Sequence, residues 1–580
     1  MKSKLFRSFF SSFMLVCLLS SMALLPASGA ASVQQSYIVQ GVDTEQVAAL
    51  VARYGGQVTS RLEIIGGVGA RLSAPAVAAL QREAGITAIT TNSMVQVVGG
   101  AGAALAKKAS WPATDYPDVV GADYVWQQGV TGDDVTVAVV DTGLSWHPGL
   151  FRNTHDKVEN RIVAWKDFVS GSRMPVDMNG HGTHVTGIIA NTHIGADGEW
   201  NGVAPGVKVA AVRVLDNRGY GTYESVVKGI QWVVEHQAEY NIRVLNMSIV
   251  APVQSPYWAD PLNQAVMQAW AQGIVVVAAA GNGGPGPLSI GVPGNNPYVV
   301  TVGAFTDDYT PYDWNDDYIA PFSAAGPTLD GFVKPDVVAP GGHMVSTMLP
   351  GSYLVRQHEA NKVDQFYFSM AGTSQSAAVV SGVAALVIAA HPELTPDQVK
   401  YRLMVTAFPW VDLETTNAVY SMWQQGAGRL SAPDAVFAEL EGEANAGMDL
   451  AADLAGNVHY EGYSYFDEET GEFRLRGDFS EWTGGYGNWS GGYGNWSGGY
   501  GNWSGGYGNW SGGYGNWSGG YGNWSGGYGN WSGGYGNWSG GYGNWSGGYG
   551  NWSGGYGNWS GGVTWTGSVA MQTWVEDPRP

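Results

Sequence analysis

The chain of 580 residues contains a single cysteine, Cys17. No intrachain disulfide can form, which excludes a stapled mini-domain and leaves the fold to its core. Charge is also scarce, at 13% of residues against about 25% in ordinary soluble proteins. Positive charge is scarcest: 28 Lys+Arg stand against 49 Asp+Glu, a formal net charge of -21. Without a basic face to collect phosphates, nucleic-acid binding is excluded. Long apolar runs are confined to the N-terminus, where Lys2, Lys4 and Arg7 precede Phe9 to Leu25, then Pro26 and small residues to Ala31. This reads as a secretory signal peptide, residues 1–31, and serines within the run argue against a retained anchor. Its removal leaves no membrane span and an extracellular product, which the C-terminal features described below could retain at the cell surface.

Hydrophobic residues make up 44% of the chain, and the length suits about three or four folding units. Residues 33–98 hold two β-rich runs, Tyr37-Ile38-Val39 and Gly69 to Leu72, with helical patterns at Thr44 to Tyr54 and Ala74 to Ala84. Closed by a further run, Met94 to Val98, they predict a small α+β unit. Residues 99–110 form a Gly/Ala-rich linker ending near Lys107-Lys108, an exposed candidate processing site. From 111 to 441, β-branched runs of strand length (Val135 to Val140, Val207 to Leu215, Val244 to Ile249, Ile274 to Ala280, Tyr298 to Val302) alternate with helical patterns. One such helix runs from Pro261 to Gln272 with Asp260 as its cap. Alternation of this kind predicts an α/β fold, a parallel sheet flanked by helices on both faces.

An acidic junction at 442–485 leads to 486–562, eleven unbroken copies of Tyr-Gly-Asn-Trp-Ser-Gly-Gly, and a tail at 563–580. Three glycines per heptad, each costing a helix about 1 kcal/mol, exclude a helix there. Two readings stay open for this low-complexity region: aromatic stripes stacking on a cell-surface polysaccharide, or a Gly/Ser spacer.

Three motifs of the main block carry chemistry. Asp141-Thr142-Gly143 follows a buried strand, which places a carboxylate at the strand's C-terminal edge. An aspartic protease would need a second such tripeptide to share the proton, and none is present. Gly180-His181-Gly182-Thr183-His184 opens a small-residue helix, with its histidines three apart rather than the four of a zincin helix. Gly372-Thr373-Ser374 precedes another small-residue helix. Acyl transfer needs a hydroxyl, an imidazole to take its proton and a carboxylate to fix the imidazole's tautomer, and these three motifs supply them in the order Asp, His, Ser.

In that order, and in Asn246-Met-Ser248, Ala279-Ala-Gly-Asn282, Ser323-Ala-Ala-Gly-Pro327 and Lys334-Pro-Asp-Val-Val-Ala-Pro340, the sequence resembles the subtilisin-like serine proteases. The resemblance implies an endopeptidase with Asp141, His181 and Ser374 catalytic, acting on polypeptide substrates. It implies Asn282 as an oxyanion donor, and Ser248, Ile249, Val250, Ala280, Gly281 and Gly291 as walls and base of the substrate pocket. Gly219 and Gly221 would form a second edge for an extended peptide, and Val292–Pro293 would be cis. With Gly291 at the pocket base, large apolar residues before the scissile bond are expected. Residues 33–98 would be a propeptide that inhibits the enzyme until cleaved. The chemistry requires no cofactor; the metal ligands are unknown, and a structural calcium suits the acidic composition. Gln375, Ser376, Ala378 and Val250 depart from the family pattern. The competing class is a surface-binding protein whose protease domain serves only its own maturation.

Overall fold

The computed structural model describes residues 34–98, 100–101, 112–410, 418–469 and 471–476, with short strands between 482 and 570. The signal peptide, Lys107-Lys108 and most of the linker lie outside the described residues. Two units are present, one comprising residues up to 61 together with 66–91, the other residues 62–65 and the chain from 92 onward.

In the first unit, β1 (Gln34–Gly41), β2 (Gln57–Leu62), β3 (Gly67–Ser73) and β4 (Ile86–Thr91) form a sheet in the order β2-β3-β1-β4. The central β1 runs antiparallel to both β3 and β4. Helices α1 (Thr44–Arg53) and α2 (Ala74–Leu80) start where Asp43 and Ser73 accept from the N–H groups of Gln46 and Ala76, capping otherwise orphaned donors. Val39, Val47, Val51, Val68, Leu72 and Leu80 make its core. The sheet is closed by Ile86–Thr91 and not, as expected, by the Met94 run. A local pattern identifies a strand but not its partner.

The second unit is built on an eight-stranded sheet: β7 (Thr136–Asp141), β8 (Ile162–Asp167), β9 (Lys208–Arg213), β11 (Ile242–Met247), β13 (Val275–Ala279), β14 (Val300–Thr306), β15 (Tyr318–Ile319) and β16 (Val337–Pro340). The order is β15-β14-β13-β11-β7-β9-β8 with β16 also on β14, and every pairing is parallel except β14 with β15. β7 and β13 are buried at every position, as continuous apolar strands must be when both faces of a parallel sheet are covered.

The covering helices include α3 (His181–Ala190), α4 (Tyr223–Glu235), α5 (Pro261–Ala271) and α6 (Thr373–Ala390). Asp260 caps α5, accepting from the N–H groups of Leu262 and Asn263. Buried at 16 of its 18 residues, α6 is apolar all round because it is enclosed all round, packing on α3, β11, β13 and β14. Shorter strands complete the picture: β5 (Met94–Val97), β6 (Gly100–Ala101), β10 (Tyr220–Thr222), β12 (Ile249–Val250), β17 (Met344–Thr347) and β18 (Tyr367–Ala371).

The expected acidic junction is in part structured. A helix, Leu450–Leu454, and a hairpin, β19 (Ser464–Asp467) with β20 (Glu472–Leu475), pack on the second unit's body. Asp453 accepts from the hydroxyls of Tyr257 (2.6 Å) and Tyr298 (2.9 Å), and the Trp423 indole donates to Ser464 (2.9 Å). In the heptad region the strands pair in parallel two copies apart: Trp510 opposite Trp524, Trp524 opposite Trp538, Trp538 opposite Trp552. The repeating unit of pairing is thus fourteen residues, twice that of the sequence.

Candidate active site

Because β7, β11 and β13 are parallel, their C-terminal ends lie at one edge of the sheet, where open α/β sheets place their sites. Asp141 closes β7, Ser248 follows β11 and Ala280-Gly281-Asn282 follow β13. His181 is the first residue of α3 and Ser374 the second of α6. Asp141, His181 and Ser374 are all buried.

The imidazole Nδ1 of His181 lies 2.8 Å from Asp141 Oδ1 and 3.0 Å from Oδ2. A carboxylate there fixes the tautomer with the proton on Nδ1 and leaves Nε2 as the base. Nε2 is buried and has no hydrogen-bond partner among the described residues. The third expected link is not made: Ser374 Oγ donates to the carbonyl of Ser248 (3.0 Å). Such contacts commonly tighten only with substrate bound.

Sequence reasoning missed what holds this pair. Asp177 Oδ1 accepts from the Thr142 hydroxyl (2.9 Å) and the N–H of Gly180 (2.8 Å), while Oδ2 accepts from the N–H and hydroxyl of Thr183 (2.9 and 2.7 Å). Thr142 in turn accepts from the Gly182 N–H (2.9 Å). One buried carboxylate therefore clamps the Asp141 turn to the N-terminus of α3. Gly182 is required by this approach, since a Cβ would stand 2.3 Å from the Gly143 carbonyl oxygen. The only local hint was an Asp two residues before Asn179-Gly180, an Asx-type cap position.

Beside Ser374, Ser248 Oγ donates to the Ser374 carbonyl (2.8 Å) and accepts from Asn246 Nδ2 (2.8 Å), whose Oδ1 accepts from Ser381 (2.9 Å). Asn282 Oδ1 accepts from the N–H and hydroxyl of Thr373 (3.0 and 2.9 Å). With the oxygen so used, Nδ2 is kept as a donor beside the N-terminus of α6. Ala280 is held between sheet and pocket, its N–H on Val302 (2.9 Å) and its carbonyl on the Gly291 N–H (3.1 Å).

A cavity of about 690 Å³ is lined by Gly281, Asn282, Gly291 and Val250 together with Val97 and Val98. Val292–Pro293, beside its base, is cis. Gly291 does not leave that base open: a Cβ on it would lie 2.1 Å from Val250 Cγ2, so the valine side chain covers it. Ile249 and Val250 pair with β5 on one side, and Gly221 and the Gly219 carbonyl pair with β5 on the other.

Among the described residues, two clusters bring potential metal ligands together. Asp118, Asp123 and Glu199 supply carboxylate oxygens, about half of the six to eight that calcium takes. Burial, and then the hydrogen bond with Glu199, push Asp118 up to about 7. In the other cluster His343 Nε2 lies 2.8 Å from Asp115 and 3.1 Å from Asp307.

A parallel α/β sheet carrying a buried Asp–His pair beside a serine at a helix N-terminus defines a serine hydrolase. Comparison with known proteins gives the family. Residues 132–436 match the model of the subtilase family. Serine protease AprX of Bacillus subtilis (strain 168) is 38% identical over 314 residues, covering 53% of this chain and 67% of that protein. Subtilisin E of the same organism is 30% identical over 393 residues, covering 66% and 87%. Subtilisin DY of Bacillus licheniformis is 36% identical over 293 residues, covering 50% and 89%. The fold is similar to that of fervidolysin from Fervidobacterium pennivorans, with a TM-score of 0.53 at 23% identity; the match covers 71% of this chain and 62% of that one. The chain belongs to the subtilase family and is a subtilisin-type serine endopeptidase.

Proposed function

We propose that the chain is exported as a zymogen and cleaves internal peptide bonds through Asp141, His181 and Ser374. His181 Nε2 takes the Ser374 proton as Oγ adds to the substrate carbonyl, and Asp141 stabilises the imidazolium. Asn282 Nδ2 and the Ser374 N–H receive the developing oxyanion, helped by the N-terminus of α6. Collapse to the acyl-enzyme releases the amine, which His181 protonates, and water then frees the acid by the same steps in reverse. This scheme uses no cofactor. The observation that carries the reading is the buried pair of His181 and Asp141 at the same sheet edge as Ser374. The segment of the chain's own 33–98 region that pairs with both substrate edges supports an inhibitory propeptide.

Labelling with a fluorophosphonate tests it. The wild-type chain should be modified at Ser374 and lose hydrolysis of a peptide substrate in step. Ser374→Ala should take no label and lose about 10⁶ in turnover, a magnitude that comes from a subtilisin itself. Labelling elsewhere, or activity in purified Ser374→Ala, contradicts the assignment. We assign the repeat of residues 486–562 to attachment at the cell-surface polysaccharide, on the strength of its uncharged Tyr and Trp. Pull-down of the full chain with isolated cell walls checks this, and full recovery in the unbound fraction would refute it.

A further inference from the structure

The substrate edges are occupied by the chain itself. Antiparallel to both β10 and β12, β5 places Val95 opposite Gly221, Gln96 opposite Tyr220 and Val250, and Val97 opposite Ile249. The Val97 N–H donates to the Gly219 carbonyl at 3.1 Å. The segment is fixed upstream as well, where Ser93 accepts from the Tyr223 N–H (3.0 Å) and donates through its hydroxyl to Gln254 (2.9 Å). On the far side of the nucleophile, Gly100 and Ala101 run antiparallel to Ala371 and Met370, the end of the strand that leads to Ser374. The described residues before and after Gly99 thus pair with segments that adjoin Ser374, β12 next to Ser248 and the end of β18 three residues upstream.

Register identifies the bond between them. Continuing the β5–β12 pairing by one residue sets Val98 against Ser248, and the Ser248 carbonyl is the acceptor of Ser374 Oγ–H. Val98 is buried and lines the same cavity as Asn282 and Gly291. We propose that Val98–Gly99 is the bond this zymogen cuts in itself, with Val98 as the residue read by the primary pocket. This rests on the zymogen reading above and adds to it the bond and the pocket's preference. Ser374 Oγ bonds to the Val98 carbonyl carbon while its proton passes to His181. The carbon–nitrogen bond then breaks as His181 protonates the Gly99 amine. Water, deprotonated by His181, cleaves the Val98 ester, giving a Val98 carboxylate and free Ser374.

The pocket's shape agrees with a small occupant. Val250 Cγ2 fills the space above Gly291, so the base accepts a short branched side chain rather than an aromatic one. That narrows the sequence expectation of large apolar residues. It also moves the processing bond away from Lys107-Lys108.

The test uses the full chain. Wild type, Ser374→Ala, Val98→Asp and a Lys107→Ala/Lys108→Ala variant are expressed, and early products are identified by intact mass and N-terminal sequencing. Wild type and the double lysine variant should yield one fragment ending at Val98 and one beginning at Gly99, Ser374→Ala should stay whole, and Val98→Asp should be cut there about 100-fold more slowly, since a carboxylate is desolvated without a partner. A first cut elsewhere, for instance after Lys108, or an unchanged rate in Val98→Asp, overturns the assignment while leaving the zymogen reading intact. Wild type that stays whole yet hydrolyses peptides overturns the zymogen reading instead. Because Val98→Asp could disturb folding, mature enzyme is also offered p-nitroanilides of Val-Gln-Val-Val and Val-Gln-Val-Phe. The valine substrate should have the higher kcat/KM, by about tenfold or more for a pocket that excludes the ring. A faster phenylalanine substrate overturns the pocket preference.

Discussion

Gln375 directly follows Ser374 and is buried within α6, and neither its amide oxygen nor its amide nitrogen has a hydrogen-bond partner among the described residues. Burying an unpaired amide costs roughly 1–3 kcal/mol by mutational measures. Methionine has nearly the same length and no branch, and its thioether needs no partner, so Gln375→Met should stabilise the protein by about that amount. With an unfolding entropy of roughly 2 cal/mol/K per residue over the approximately 300 residues of the family match, this becomes a rise in Tm of about 1.5–5 °C.

The same exchange has an opposite effect under oxidation. Conversion to the sulfoxide would put a larger polar group beside Ser374, where the donors of the proposed mechanism must hold position to within about 0.5 Å. Met247 and Met370 are buried as position 375 is and are common to both enzymes, so their oxidation contributes equally to each. Melting is measured by circular dichroism in a Ser374→Ala background, which prevents autolysis. Residual turnover on a soluble peptide is followed in the active enzymes through graded peroxide. Wild type should melt lower and survive peroxide better than Gln375→Met. If Gln375→Met melts at or below wild type, the amide is satisfied and the reasoning fails. Equal inactivation would show that Gln375 gives no protection.

Asp336 faces two buried lysine amines, Lys334 at 2.6 Å and Lys400 at 3.4 Å; Asp336→Asn should cost about 3–5 kcal/mol, and a Tm within 2 °C of wild type would contradict a buried ion pair at Asp336. Asp177→Ala removes the clamp between the Asp141 turn and α3, so kcat should fall by a larger factor than KM rises and Tm should drop with the loss of charge-assisted bonds worth roughly 1.5–3 kcal/mol each; unchanged kcat would reduce Asp177 to an ordinary cap. On acidification His147 and His184, each lowered to about 3 by burial, stay neutral when folded but take protons when unfolded, so they withdraw stability as pH falls from about 6.5 to 3. Asp260 and Asp307, raised to about 6 and 7 by burial, work the other way, but their gain ends near pH 4, where the unfolded carboxylates protonate too. Acid unfolding of Ser374→Ala, read by circular dichroism, should therefore be steepest below about pH 4, and a midpoint above pH 5 would refute this balance.

How far the sequence could be read depended on whether a feature is local. β7 and β13 were legible because strands covered on both faces must be apolar throughout, and α5 because Asp260, Pro261 and Gly273 punctuate it. β8 was missed: as an edge strand it is only half buried and mixes Trp165 and Lys166 into its run. Met94–Val97 was recognised as a strand but given the wrong sheet, since its partners are more than 100 residues away. The order Asp141, His181, Ser374 was available from motif spacing. The rotamer that aims Ser374 Oγ at Ser248, and the seating of Val250 over Gly291, follow from packing between separate elements and leave no periodic trace.

The same distinction explains why the surroundings of Ser374 carry so many hydroxyl and amide groups in an otherwise apolar interior. The N-terminus of α6 leaves N–H groups without helical partners, and in the proposed mechanism one of them, on Ser374, must stay unspent until an oxyanion forms. Thr373, one residue earlier, spends its N–H and hydroxyl on Asn282, which satisfies a neighbouring donor and at the same time turns the asparagine so that only its N–H groups remain to give. Ser248 binds the Ser374 carbonyl, and through Asn246 the connection reaches Ser381 two turns along the same helix. The two donors are thus fixed relative to each other by adjacent residues, and α6, which carries one of them, is tied at two points to β11 and the residue that follows it. A stabiliser arranged before charge develops needs no reorganisation when it does, so in the proposed mechanism Thr373 and Asn246 act as positioning residues although neither touches the reacting atoms.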